Sequence, residues 1–150
     1  MPPVLSRLRI NAVSVRVELN IKRRITSSFG GRTMPHVVLK GRVSVENVFN
    51  ELKPLFIRDE RTLLRTIDIY LERGKNAILI DALAIQSERK TSFLAMITGR
   101  EDGVVIRLYP KIEFEKTDGV KKILSEMAKQ LIQVFPVFEI GETNLSEYLK

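Results

Sequence analysis

The sequence predicts an α+β protein in which an antiparallel sheet of about six strands packs on a long C-terminal helix. The first reason is residues 62–115, where apolar and polar side chains alternate in four runs that three turn-rich segments separate. The second is residues 118–135, where apolar side chains recur at helical spacing; Thr117 or Asp118 is expected to cap this helix, and Pro136 ends it. A third pattern, over residues 13–43, adds a basic hairpin of two strands.

The N-terminal hairpin begins with a strand over residues 13–21, in which the odd positions are apolar and the even positions are polar. Residues 26–35 are rich in serine and glycine and are expected to form a loop. The second strand covers residues 36–43. The pattern indicates that the two strands pair and turn their basic side chains outwards.

A short helix is predicted after this hairpin. Ser44 is a typical N-cap residue, residues 45–53 carry an apolar stripe, and Pro54 ends the helix. We expect this helix at an edge or an end of the sheet. Residues 55–61 are expected to form an irregular link, and residues 60–65 are compatible with a helix as well as with a strand.

Tight turns predict the register of the four-strand meander over residues 62–115. The first hairpin turns at residues 73–76, and its predicted pairs are Leu71 with Ile78, Ile69 with Ile80, Ile67 with Ala82 and Asp68 with Asp81. The second hairpin closes at Glu88 and Arg89, and its predicted pairs are Ala84 with Phe93, Ala82 with Ala95 and Ile80 with Ile97. This register gives the sheet one continuous apolar face.

The C-terminal part is predicted to hold the 118–135 helix, a short strand over residues 137–140 and a short helix or tail over residues 144–150. The order of strand, helix, meander and long helix resembles a helix-grip arrangement, in which a curved sheet wraps a helix. Such folds serve unrelated functions. We expect a single domain over residues 1–150.

The composition restricts the class of protein. The chain has 150 residues, 44% of them hydrophobic, and no cysteine, which excludes disulfides, thiolate nucleophiles and cysteine metal sites. No apolar run approaches the roughly 20 residues of a membrane helix. We therefore expect a cytoplasmic protein without a membrane partner. Glutamine is rare beside many charged residues, which is a weak indication of a thermophilic source.

The positive charge is concentrated near the N-terminus. Residues 1–43 carry nine basic side chains against Glu18, a balance of +8, so the total of +7 leaves −1 for the rest of the chain. This asymmetry suggests an acidic partner, although solubility alone also explains it. The leading hypothesis is a non-enzymatic binding subunit that contacts RNA or DNA without sequence-specific readout. Its candidate nucleic-acid-binding residues are Arg16, Lys22, Arg23, Arg24, Phe29, Arg32, Lys40 and Arg42.

Catalytic motifs are nearly absent. His36 is the single histidine and is read as an ordinary surface residue, so we expect no catalytic residue, no cofactor and no metal. Asp68 and Asp81 face each other in the predicted register, and they are either a functional carboxylate pair or two solvated side chains. An alternative function is a small-ligand-binding protein or enzyme with a cavity between the sheet and the C-terminal helix.

The face of the sheet opposite the predicted core is also partly apolar. Its candidate interface residues are Tyr70, Leu79, Leu83, Ile85, Leu94 and Met96. An apolar patch of this kind needs a cover. The helix within residues 45–57 provides one if it lies there; otherwise a partner protein or a symmetric homodimer does, and the chain is then a structural subunit of an assembly.

Overall fold

The computed structural model describes residues 34–150, which contain seven strands, two α-helices and one 3-10 helix. The elements are β1 (His36–Lys40), α1 (Val45–Glu51), β2 (Phe56–Arg58), β3 (Thr62–Leu71), β4 (Ala77–Gln86), β5 (Arg89–Arg100), β6 (Gly103–Leu108), α2 (Asp118–Val134), β7 (Glu139–Thr143) and the 3-10 helix (Ser146–Tyr148). Residues 13–21, where the first strand is predicted, lie outside the described residues.

The seven strands form one sheet in the order β2-β3-β4-β5-β6-β1-β7, and every neighbouring pair is antiparallel. The α+β class and the antiparallel meander are thereby confirmed. Five of the six predicted strands fall within the described residues, and two more make up the seven: β2 lies within the expected irregular link, and β7 is the short strand expected after the long helix, at Glu139–Thr143 rather than at residues 137–140. Thr62 begins β3, so residues 62–65 are extended rather than helical.

Strand β1 lies inside the sheet and not at its edge. It pairs with β6 on one side and with β7 on the other, so both of its hydrogen-bonding edges are occupied. The predicted hairpin therefore does not account for how β1 is held in the sheet. Its partners come instead from the meander and from the segment after α2, which are far away in sequence.

The β3–β4 hairpin follows the predicted register near its turn and departs from it at a bulge. Asp68 pairs with Asp81 as predicted, but Thr66 rather than Ile67 pairs with Ala82. Ile67 is the extra residue and is 50% exposed. Thr66 is fixed by two hydrogen bonds to Leu55, because each residue uses its backbone N–H to bond an oxygen of the other. These two bonds, next to β2, fix the position of Thr66, the residue that pairs with Ala82 because of the bulge.

The β4–β5 hairpin closes one residue earlier than predicted, which shifts the pairing across the two strands by two residues. Ser87 and Glu88 form its turn, with φ angles of 49° and 71°, as a two-residue hairpin loop requires. Phe93 consequently pairs with Ala82 rather than with Ala84. Because side chains alternate with a period of two, a shift of two residues leaves every side chain on its predicted face.

Strand β6 ends earlier than the alternation suggested. It stops at Leu108 rather than near residue 115. Pro110 follows two residues later and has no N–H to donate to a neighbouring strand. The alternating residues 111–115 therefore lie in the connection to α2.

Both helices pack on the same side of the sheet, which we call the first face. Thr117 caps α2, as predicted, by accepting a hydrogen bond from the backbone N–H of Val120. The apolar side of α2 and the buried residues of α1 belong to one core with the first-face residues of the strands. A Cβ placed on Gly99 of β5 would lie 2.9 Å from Cγ2 of Val45. Helix α1 thus packs on the first face, and its first residue, Val45, meets β5 next to the end of that strand.

Because β1 lies close to β6, a side chain at position 103 is expected to destabilise the fold. A Cβ at this position would overlap the backbone carbonyl of Leu39, and backbone cannot yield as a side chain does. We expect Gly103→Ala to lower the free energy of unfolding by about 1–3 kcal/mol, the usual cost of overpacking. Urea-induced unfolding followed by circular dichroism measures this change.

Gly74→Ala is the matched control for this prediction. Gly74 lies in the exposed turn between β3 and β4, and the atom nearest to an added Cβ is Oε1 of the flexible Glu72 side chain, at 3.2 Å. Its effect is expected within about 0.5 kcal/mol. Equal effects of the two substitutions would contradict the close approach at Gly103.

Candidate functional site

The candidate interface occupies the side of the sheet opposite the helices, which we call the second face. Leu79, Leu83 and Ile85 of β4 and Leu94 and Met96 of β5 point there, because they alternate with fully buried first-face residues. All five are half-buried, and the neighbouring Tyr70 of β3 is 51% exposed. None of the six belongs to the core that includes α1 and α2. Among the described residues, neither helix covers this patch.

Two carboxylates lie at one side of the second face. Asp68 and Asp81 are paired across β3 and β4. The hydroxyl of Tyr70 donates a hydrogen bond to Oδ2 of Asp68, at 3.1 Å, and the backbone N–H of Ile69 donates to Oδ1, at 3.0 Å. The hydrogen bond to Asp68, followed by the negative charge of Asp68, raises the pKa of Tyr70.

This arrangement fixes Asp68 but does not by itself make a metal site. Within residues 34–150, no group of three His, Cys, Asp or Glu side chains is placed to hold a metal ion. Asp81 is half-buried and faces a like charge, which disfavours the strand pair. The two carboxylates, Asp68 and Asp81, therefore attract a positive group.

Such a positive group lies two strands away on the same face. Arg107 of β6 pairs with Met96 of β5 and points to the second face. Its Nε atom is buried and has no hydrogen-bond partner in the described part of the chain. Burial lowers the pKa of Arg107. Alternation along β6 indicates the face on which Arg107 lies but not how deeply it is buried.

Of the predicted nucleic-acid-binding residues, the structure describes Lys40 and Arg42. Both are exposed, and neither forms an ion pair with another of residues 34–150. The methylene groups of Lys40 lie along Gly141 of β7, where Cε would be 3.1 Å from an added Cβ. The predicted residues Arg16, Lys22, Arg23, Arg24, Phe29 and Arg32 lie outside the described residues.

Arg42 lines a shallow hollow of about 340 Å³ at one end of the sheet. Arg100, at the end of β5, lines the same hollow together with Glu101. Nε of Arg100 lies 3.2 Å from Oδ1 of Asp102, so this turn carries both signs of charge. The sequence analysis did not connect Arg42 with Arg100. They meet because β1 pairs with β6 and so reaches the β5–β6 turn.

A second hollow, of about 560 Å³, is lined by the β2–β3 and β4–β5 turns at one end of the sheet. Asp59 is committed to the local turn, since its Oδ1 accepts hydrogen bonds from the backbone N–H groups of Arg61 and Thr62. No residue of α2 lines either hollow. The two hollows thus do not support the alternative of a ligand cavity between sheet and helix.

His36 is engaged in holding the chain together. Its ring Nδ1 donates to the backbone oxygen of Met34, at 2.9 Å, and its backbone N–H donates to Oδ1 of Asn144, at 3.0 Å. The hydroxyl of Thr143 donates to the backbone oxygen of His36, at 2.7 Å. These bonds join the start of β1 to the end of β7, which is a structural role.

No protein-family model, no curated protein and no solved structure matches the chain. In residues 34–150, every helix is too short or too polar to cross a membrane. The function is therefore inferred from the charge and the geometry of this chain.

The contact between Tyr70 and Asp68 can be tested by titration. We expect Asp68→Asn to lower the pKa of Tyr70 towards the ordinary value of about 10, because the carboxylate that stabilises the neutral phenol is removed. NMR titration of tyrosines labelled at Cζ measures the change. Tyr148 is the internal control, since its hydroxyl donates to Asp118 at 2.7 Å and its pKa stays at about 12. An unchanged pKa of Tyr70 would contradict the contact.

The hydrogen bond of Tyr148 to Asp118 also predicts how stability depends on pH. This bond, with smaller effects of burial and of the Asp118 charge, raises the pKa of Tyr148 to about 12. The pKa of an unfolded tyrosine is about 10, so the folded state binds more protons between these two values. The contribution of Tyr148 to stability is therefore complete below about pH 10 and is lost as the pH rises through about 12.

Urea unfolding of Tyr148→Phe at about pH 9 and about pH 11 tests this dependence. The variant should lose less stability than the wild type between the two pH values, because the phenylalanine has no proton to release. Tyr109→Phe is the control and should behave like the wild type. Equal losses in the wild type and Tyr148→Phe would contradict the prediction.

Proposed function

We propose that the protein is a non-enzymatic binding subunit that holds a polyanion, RNA or DNA, through its basic N-terminal third. The observation that carries the proposal is the distribution of charge, +8 over residues 1–43 and −1 over the rest of the chain. Charge of one sign at one end of a sequence is typical of chains that bind nucleic acid. Solubility would need no such concentration.

The described end of this basic region supports the proposal. Lys40 and Arg42 are both exposed and free of ion pairs to other described residues. A charge without a partner can approach a phosphate without first breaking a salt bridge. Arg100 lines the same hollow as Arg42 and extends the basic surface, although Asp102 partly neutralises it.

The proposed contacts are to phosphates and not to base edges. Lysine and arginine side chains neutralise phosphates and release the counterions condensed on them, which makes the affinity fall steeply with salt. Phosphate contacts carry no sequence information. Phe29, within the predicted loop, supplies a ring on which a base of a single strand can stack. Binding should accordingly tolerate any sequence.

A binding role is favoured over catalysis by what the polar groups do. His36 is engaged with Met34 and Asn144, and Asp59 caps a turn. A helix-grip ligand site would lie between the sheet and α2. Ile123, Leu124 and Leu131 of α2 are fully buried against the sheet at that place. Binding at the surface of the protein is thus favoured over ligand binding in a pocket.

Fluorescence anisotropy of labelled oligonucleotides tests the proposal. We expect binding of unrelated RNA and DNA sequences at about 50 mM salt and a loss of at least about 10³-fold in affinity by about 200 mM, as for six or more phosphate contacts. The triple variant Lys22→Ala, Arg23→Ala, Arg24→Ala should weaken binding at least tenfold. On duplex DNA it should reduce the slope of log affinity against log salt by about 2.7, or 0.9 for each contact.

The matched control also removes three positive charges, but from outside the basic N-terminal region. Lys53, Lys90 and Lys122 are exposed and lie outside the basic region. Their triple substitution by alanine should leave the salt slope unchanged. The proposal fails if no binding occurs at about 50 mM salt, or if the two triple variants weaken binding equally.

A further inference from the structure

The second face carries both halves of an ion pair at positions that do not meet within the described chain. Asp68 and Asp81 lie on β3 and β4, and Arg107 lies on β6. Strand β5 lies between Asp81 and Arg107, and its residue Met96 pairs with Arg107. The carboxylates therefore face a like charge, while Nε of Arg107 is buried and has no hydrogen-bond partner among residues 34–150. Both arrangements cost free energy in an isolated sheet.

The second face over β3 to β6, with its apolar and charged side chains together, is about the size of a small interface. Four strands, β3 to β6, are about 19 Å wide at about 4.8 Å each, and the nine residues from Ala77 to Ile85 extend over about 27 Å at about 3.4 Å per residue. Their product is about 500 Å² of plane, and upright side chains add to the accessible area. A standard interface buries about 800 Å² on each partner. The face is thus smaller than a standard interface, and its affinity depends on how well its charges and side chains match rather than on its area.

A two-fold rotation brings the unmatched charges together. Two sheets that pack face to face lie about 10 Å apart, and an axis between them that runs along β5 places β4 of one copy over β6 of the other. Asp81 pairs with Leu94 of β5 and Arg107 pairs with Met96, two residues further along β5. Arg107 therefore lies two residues, about 7 Å along the strand, from Asp81 of the partner subunit. An extended arginine side chain spans this distance. The same rotation stacks Leu94 and Met96 of β5 on their own copies in the partner subunit.

We propose that the second face binds a second copy of this chain in a symmetric homodimer in which Arg107 pairs with Asp81 of the partner subunit. A different protein would have to supply a cation and a carboxylate at matching positions, whereas a second copy already carries both. A two-fold contact of this kind uses each complementary pair twice. The proposal does not depend on nucleic-acid binding.

Analytical ultracentrifugation of the full chain, freed of nucleic acid by nuclease treatment, tests the dimer. We expect the 17.2 kDa chain to reach twice its mass over about 1–100 μM. Arg107→Glu and Asp81→Lys should each weaken association at least tenfold, because each places like charges opposite one another. Arg73→Glu, in the exposed β3–β4 turn, is the control for a change of charge and should leave association unchanged.

Mixing the two charge variants separates loss of an interface from loss of the fold. In a mixed dimer, Glu at position 107 of one copy faces Lys at position 81 of the other, and the second contact keeps Arg107 with Asp81. The mixture should associate with nearly wild-type affinity although neither variant does so alone. Circular dichroism of each variant verifies that the sheet is intact.

Three results would overturn the proposal. A wild-type chain that remains a monomer at about 100 μM would mean that something other than a second copy covers the face. Single variants that associate like the wild type would exclude the Arg107–Asp81 pairing. A mixture of folded variants that stays monomeric would exclude the two-fold arrangement.

Discussion

The pairing of β4 with β5 is the interaction on which the rest of the structure depends. Its first face is built from fully buried side chains, including Ile78 and Ile80 of β4 and Ile97 of β5. Burying each of these contributes about 1.5–3 kcal/mol, and α1 and α2 pack on them. Because a strand alternates its side chains, the same two strands must present their remaining residues to the second face. Those residues are also largely apolar.

Within residues 34–150, both helices pack on the first face, and this leaves an unusual second face. An antiparallel sheet with one covered face is normally polar on the other, yet here leucines stand beside two facing carboxylates and a half-buried arginine. Each feature is unfavourable in an isolated sheet. Their joint presence on one face, in self-complementary positions, is more readily understood as a binding surface than as a defect of packing.

Strand β1 links the two surfaces that we consider functional. It is enclosed by β6 and β7, so its backbone is fixed from both sides, and it ends at Lys40, two residues before Arg42, in the basic region. A rigid strand of this kind limits the freedom of the two charges, which reduces the entropic cost of binding a phosphate. Nothing in local sequence indicates this, since the partners of β1 come from much later in the chain.

The sequence by itself determined the α+β class, the faces of β4 and β5, the pairing of Asp68 with Asp81, and the caps Ser44 and Thr117, because alternation, turns and caps act over a few neighbouring residues. The candidate interface was identified in the same way. Only the tertiary structure decided the bulge at Ile67, the place of β1, the first-face position of α1 and the buried Nε of Arg107. The bulge depends on a bond to Leu55, and the other three depend on strands and helices far away in sequence. Such contacts arise only when distant segments compete for the same sheet edge or face, and no local pattern records the outcome.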